Sequence, residues 1–147
     1  MRTFCTIITS NYFPYAAALY RSLEKIRPDE QLQVLVADEG ELAVDPAQYK
    51  GIHIVRASEI YNHLQADQLY AAYGMQQPDA LRWGLKPVLL SYLLHKGFDK
   101  VIFADCDLCF FNSYEFLFDL LNHHSILLTR SGTTRNPELH AEEFLSG

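Results

Sequence analysis

The stretch Val101-Ile102-Phe103-Ala104-Asp105-Cys106-Asp107-Leu108-Cys109-Phe110-Phe111 constrains this chain more than any other. Two acids one residue apart interrupt an otherwise apolar, β-prone run, and a buried strand excludes charge unless it is paired or bound to a metal. On a strand, residues i and i+2 share a face, about 6.5 Å apart along the chain. Asp105 and Asp107 therefore point together, unless the second has already turned into the following loop. Like charges that close share a proton or hold a cation, and the cation is the leading reading.

Bulk properties narrow the field. A chain of 147 residues predicts one domain over 1–147 with a sizeable core. Its 49% hydrophobic and 20% charged content is that of a globular protein. A net charge of −6, with no cluster of Lys and Arg, argues against nucleic-acid binding. An anionic ligand would need local positive charge or a divalent cation to bind such a surface. The apolar start, Met1 to Ile8, is too short to span a membrane and lacks a signal-cleavage pattern, so the expected location is cytoplasmic. Three cysteines, an odd number, fit a reduced compartment. Cys106 and Cys109 make a C-x-x-C, but in or just after a strand, where i and i+3 face opposite ways and no helix dipole lowers a thiol pKa. A redox or zinc role is not expected.

Taken in order, the chain alternates strands and helices. Phe4 to Thr9 reads as a buried strand. Asn11 is placed to cap the next helix, with Pro14 in its first turn and Ala16, Leu19, Leu23 and Ile26 at helical spacing. Gln31 to Ala37 reads as a second strand closing on Asp38. Glu39 to Lys50 reads as loop with a short helical turn, and Ile52 to Val55 as a third strand. Ser58 to Tyr73 reads as a helix capped by Ser58. Another runs from Asp79 to His95, kinked or begun by Pro87 and stopped at Gly97. Lys100 to Phe103 or slightly beyond is the fourth strand. Asn112 and Glu115 have capping-box spacing for a helix ending near Asn122. Ser125 to Thr129 reads as a fifth strand, and Asn136-Pro137 opens a last helix. Trp83, Phe110, Phe111, Phe116 and Phe118 read as packing residues, and His53, His63 and His95 as surface or packing residues.

This pattern predicts an α/β fold, a mainly parallel Rossmann-like sheet with helices on both faces. In such sheets ligands bind outside the carboxyl ends of the strands. The polar residues expected there are Thr9-Ser10-Asn11, Asp38 and Asp105/Asp107.

With those residues placed, the chain resembles the GT-A glycosyltransferases, particularly the family 8-like nucleotide-sugar transferases of bacteria. Val101 to Asp107 is similar to that family's strand ending in D-x-D. Leu85-Lys86-Pro87-Val88-Leu89-Leu90-Ser91-Tyr92-Leu93-Leu94 is similar to its "lKPxlLxyLL" helix. Thr9-Ser10-Asn11-Tyr12, followed by Leu19-Tyr20-Arg21-Ser22-Leu23, is similar to its first nucleotide-contacting turn and helix. The resemblance implies a UDP-sugar donor with Mn²⁺ or Mg²⁺, the metal held by Asp105 and Asp107. It implies that Thr9, Asn11 and Tyr12 line the uridine pocket, with Tyr12 stacking on the base. Asp38 would accept a hydrogen bond from uracil or ribose, and Lys86 or Arg82 would approach the sugar or phosphates as the catalytic cations. The acceptor it implies is a glycan or a lipid-linked saccharide, in surface polysaccharide or lipopolysaccharide synthesis, with peripheral membrane association of a longer enzyme.

The chain also departs from that family. The family's third metal ligand, a His in a C-terminal H-x-x-G-x-x-K-P-W-like segment, has no counterpart, since His123, His124 and His140 stand in no such motif. The expectation is therefore a donor-binding N-terminal part lacking its acceptor-binding half. Two other functions fit parts of the pattern: a non-catalytic nucleotide-sugar-binding module, and a haloacid-dehalogenase-type phosphohydrolase. The latter also uses D-x-D after an apolar strand, but Leu108-Cys109 follows the acids here and no downstream lysine is present.

Overall fold

A computed structural model of the chain describes residues 1–74 and 76–129. Strands β1 (Arg2–Ile8), β2 (Leu32–Val36), β3 (Ile52–Arg56) and β4 (Lys100–Phe103) form one sheet in the order β3-β2-β1-β4. Every pairing is parallel. The protein is therefore α/β and Rossmann-like, and the carboxyl ends of all its strands lie along one edge. The chain divides into two compact units, Met1–Tyr114 and Glu115–Gly147.

In the first unit, β1 is apolar on both faces because both are covered. Cys5 and Ile7 pack with Leu35 and Val55. The register Ile7↔Leu35 and Leu35↔Val55 puts these side chains in one row. Above that row lie α2 (Ala57–Ile60), α3 (Ala66–Tyr73) and α4 (Pro78–His95), contributing Ile60, Ala66, Leu81, Leu85, Leu89 and Leu93 to the core. The alternate residues Phe4, Thr6 and Ile8 point to the opposite side. There α1 (Phe13–Ile26) buries Ala16, Leu19, Tyr20 and Leu23.

Helix ends follow local chemistry. Pro14 lies in the first turn of α1, where a missing N–H costs nothing. Gly97, at φ +100°, lets α4 close in a Schellman motif. Its N–H donates to the Leu94 carbonyl (3.1 Å) and the Phe98 N–H to the Leu93 carbonyl (3.3 Å). Pro87 neither starts nor ends α4, which is continuous from Pro78.

Several expectations are corrected. Asn11 does not cap α1: Ser10–Tyr12 forms a 3₁₀ turn, Tyr12 holds the cap position, and the Asn11 Oδ1 accepts from the Thr9 hydroxyl at 2.6 Å. The helix expected over Ser58–Tyr73 is broken, because Leu64 and Gln65 take positive φ (45° and 59°), outside the right-handed helical region. Ser58 lies inside α2, and the Glu59 carboxylate accepts from the Arg56 N–H at 2.8 Å in its place. Helix α5 (Glu115–Leu120) begins at Glu115, three residues after Asn112, so Asn112 does not stand at its cap position. Residues 125–129 join no ladder with the described strands, and Ile126 and Leu128 are exposed. Phe111 and Phe116 are exposed, whereas Phe110 packs edge-on against Phe4 (5.3 Å). The helix expected from Asn136, and His140, lie outside the described residues.

One buried group is out of balance. The Thr6 hydroxyl, on the α1 side of β1, is fully buried without a hydrogen-bond partner among the described residues. An orphaned hydroxyl costs about 1–3 kcal/mol. Thr6→Val keeps the branched shape and removes that penalty, so it is expected to stabilise the protein by about 1 kcal/mol, read as a higher urea midpoint at unchanged m-value.

Candidate active site

In the order β3-β2-β1-β4 the chain leaves β1 on one side and returns on the other, so the topological switch point lies between β1 and β4. A cavity of about 430 Å³ opens there, floored by Ile7 of β1 and Phe103 of β4. Lys86, Arg82 and Trp83 enter it from α4, Tyr12 and Tyr15 from the start of α1, and Asp105 to Asp107 from the loop after β4.

The acids are not on the strand. β4 ends at Phe103, and a turn over 105–108 closes with the Leu108 N–H donating to the Asp105 carbonyl at 3.1 Å. Asp105 and Asp107 are exposed carboxylates on a tight turn, where a bound ion can complete its shell with water and ligand oxygens. The alternative of a second acid already turned into the loop therefore holds, and the first acid has turned with it.

Lys86 supplies the counter-charge. Its Nζ donates to Asp105 Oδ1 at 2.9 Å and lies 4.6 Å from the centre of the Phe103 ring, a cation–π contact that props the ammonium over the floor. Arg82 lies one helical turn earlier, on the same side of α4. Its guanidinium pairs with Asp79 and sits 5.8 Å from the Tyr12 ring centre. The wall thus carries two cations, Arg82 and Lys86, against two carboxylates, Asp105 and Asp107. A diphosphate brought into that balance leaves excess negative charge, which a divalent cation offsets.

The donor set suits such an ion. Mg²⁺ and Mn²⁺ take hard oxygen ligands, commonly one or two protein carboxylates with waters and substrate phosphates completing the shell. Among the described residues no group of three or more His, Cys, Asp or Glu is placed to hold a metal by itself. Asp105 and Asp107 fit a cation shared with a phosphate ligand rather than an all-protein cage.

The other expected contacts have different partners. Both Asp38 oxygens hold Ser10, accepting from its N–H (2.7 Å) and its hydroxyl (2.8 Å). This clamp ties the exit of β2 to the exit of β1. Gly40 permits it, because a Cβ there would lie 2.0 Å from the Ser10 oxygen. Thr9 and Asn11 bond each other and, like Asp38, do not line the cavity. Tyr12, Arg82, Lys86, Asp105 and Asp107 do line it, so five of the eight expected site residues share one crevice.

Trp83 and Tyr15 were missed. Trp83, expected in the core, is 68% exposed. Helical periodicity carried the signal: Trp83 is two residues from both Leu81 and Leu85, about 200° around the helix from the core stripe. Ser10 was missed as the partner of Asp38, since a backbone N–H that will meet a carboxylate has no sequence signature.

Cys5 is buried, Cys106 half-buried and Cys109 exposed. All are free; burial pushes the Cys5 thiol far up, and burial followed by the Asp107 charge raises that of Cys106. Beside the clamp, the Tyr70 hydroxyl donates to the Ala37 carbonyl at 3.1 Å. Burial, then the charges of Glu39 and Asp38, push its pKa up to about 12. The folded state therefore holds this proton more tightly than the unfolded chain, whose tyrosines titrate near 10. That stability is intact below about pH 10 and is lost as the pH rises towards 12. Urea midpoints measured from pH 9 to 12 are expected to fall in that window, and Tyr70→Phe is expected to flatten the fall.

No family model matches the chain. A protein of Bacillus subtilis (strain 168) described as uncharacterized, YfnF, is 25% identical over 130 residues, covering 86% of this chain and 42% of that relative. The chain spans less than half the length of this curated relative. No helix among the described residues is long and apolar enough to cross a membrane.

Proposed function

We propose that this chain is the donor-binding part of a GT-A-type, family 8-like glycosyltransferase that takes a UDP-sugar with Mn²⁺ or Mg²⁺. The observation that carries the reading is the convergence of Lys86, Arg82, Asp105 and Asp107 on one cavity at the β1/β4 switch point. That is where an open parallel sheet binds ligands, and the mixed charge there suits a diphosphate only with a divalent cation present. The resemblance of the D-x-D strand, the Lys86-Pro87 helix and the Thr9-to-Tyr12 turn to that family supports the same reading.

When bound, the cation would neutralise charge developing on the departing diphosphate. The residues of the chain do the rest. Asp105 and Asp107 would hold the ion from the exposed turn. In the free protein Lys86 neutralises Asp105 and keeps it in place. With ligand present, its flexible stem would let the ammonium turn from Asp105 towards a phosphate. Arg82 braces Tyr12, whose exposed ring offers a face to the uracil. The acceptor is proposed to be a glycan or lipid-linked saccharide, and the setting cytoplasmic. Calorimetric titration of the protein with UDP-hexoses and GDP-hexoses, with Mn²⁺ and with EDTA, tests the reading. Binding of UDP-hexoses that needs Mn²⁺ and is absent with GDP-hexoses is expected, whereas metal-independent binding or none would overturn it.

A further inference from the structure

The geometry points to a hexopyranose-stacking wall formed by Trp83 and Tyr15 in the same cavity as the Asp105/Asp107 turn. This deepens the proposed function by assigning the part of the site that holds a sugar ring, and it rests on that reading only for the origin of the ring.

Tryptophan is a costly residue to leave in water, since its surface is large and apolar. Trp83 is nevertheless 68% exposed and lines the cavity. Among the described residues it makes no ring contact and no side-chain hydrogen bond, so packing does not account for it. Pro87 has no N–H, so the Trp83 carbonyl has no donor from residue i+4 within the continuous helix. Tyr15, 53% exposed, lines the same cavity and lies against Tyr12 at 5.3 Å between ring centres. The Arg82 guanidinium lies 5.8 Å from the Tyr12 ring centre. Of the aromatic lining, Trp83 and Tyr15 therefore keep faces without a cation against them.

The chemistry around these faces selects the ligand. A pyranose has an apolar C–H face and a rim of hydroxyls. The indole offers a flat apolar surface with one N–H donor at its edge, and Tyr15 a second face with a hydroxyl. Asp107, on the same cavity wall, can accept from sugar hydroxyls. A uracil would match the faces but has no ring of hydroxyl donors for that carboxylate, and a lipid chain would match neither the N–H nor the acid. The ring is either the hexose of the donor or the terminal hexose of an acceptor.

Trp83 is the single tryptophan of the 147 residues, so its emission reports this wall directly. Titrations with UDP, with UDP-glucose and UDP-galactose, and with free hexoses and disaccharides, all with Mn²⁺, separate the sources. A saturable change with UDP-hexoses beyond that with UDP assigns the donor ring. A change with free saccharides assigns the acceptor ring. By calorimetry, Trp83→Ala is expected to weaken the effective hexose-bearing ligand about tenfold, with Trp83→Phe largely restoring it and UDP affinity unchanged. The wall is overturned if neither UDP-hexoses nor free saccharides move the emission beyond the change that UDP alone produces. UDP binding measured by calorimetry keeps the two ideas apart. Mn²⁺-dependent UDP binding with a silent Trp83 removes the wall and leaves the donor site. A saccharide response without UDP binding does the reverse.

Discussion

Asp105→Ala is expected to weaken UDP binding in the presence of Mn²⁺ by on the order of 100-fold, the equivalent of the several kcal/mol a shared cation contributes. In EDTA the same substitution is expected to leave UDP binding unchanged or slightly tighter. The sign follows from Lys86: its ammonium sits 2.9 Å from Asp105 Oδ1, and losing the carboxylate frees that charge for phosphate. Simple removal of a repulsive acid would instead tighten binding under both conditions. Lys86→Met is the mirror experiment, expected to improve Mn²⁺ binding to the free protein and to weaken UDP. Folding does not confuse either result. The side chains are 35% and 61% exposed, and an exposed pair contributes at most about 1 kcal/mol. Equal losses for Asp105→Ala with and without Mn²⁺ would reduce Asp105 to a latch for Lys86.

The largest expected effect on stability lies at the opposite edge of the sheet. Glu30, only 3% exposed, precedes β2 and accepts from the Arg2 guanidinium at 3.0 Å and from the Tyr114 hydroxyl at 2.9 Å. Its other oxygen accepts from the Gln31 N–H at 3.3 Å. Arg2 opens β1 and Tyr114 ends the first unit, so one carboxylate ties three separated parts of the chain together. Removing Glu30 takes its charge-assisted hydrogen bonds from Arg2, Tyr114 and the Gln31 N–H, at a cost of about 2–3 kcal/mol with Arg2 itself 22% exposed to water. Glu30→Ala is expected to lower stability by that amount in urea titrations, with Glu30→Gln intermediate because it keeps an acceptor for Tyr114. Because the cavity lies at the carboxyl edge, UDP affinity of the folded protein is expected to be untouched. A loss below about 1 kcal/mol would mean that water replaces Arg2 and Tyr114 around the carboxylate.

The parts of this architecture legible in the sequence are those set by periodicity. The apolar runs at Phe4 and Val34 had to be strands buried on both faces, the run at Ile102 had to be a strand although β4 is only partly buried, and the stripe Leu81, Leu85, Val88, Leu89 had to be one side of a helix. The parallel order followed from alternation, and parallel order puts Asp38 and Asp105 at one edge. What periodicity does not encode is where a strand stops being a strand. Asp105 looked buried because four apolar residues, Val101 to Ala104, precede it, yet the chain turns as soon as Phe103 has packed. The break at Leu64 and Gln65 depends on left-handed backbone in residues that usually avoid it, so the residues themselves gave no warning. Asp38 illustrates the remaining gap: its position at a strand end was readable, but its capture by the Ser10 N–H and hydroxyl depends on Gly40 letting the loops close. Trp83 is the opposite case, a residue whose exposure followed from its angle on α4.

The central claim is that Lys86, Asp105 and Asp107 form one site for a cation and a diphosphate at the β1/β4 switch point. Calorimetric titration of the protein with UDP, once in millimolar Mn²⁺ and once in EDTA, tests it most directly. The predicted result is binding on the order of 100-fold tighter with Mn²⁺, with the difference lost in Asp105→Ala. Equal affinity under the two conditions, or no UDP binding in either, would contradict it.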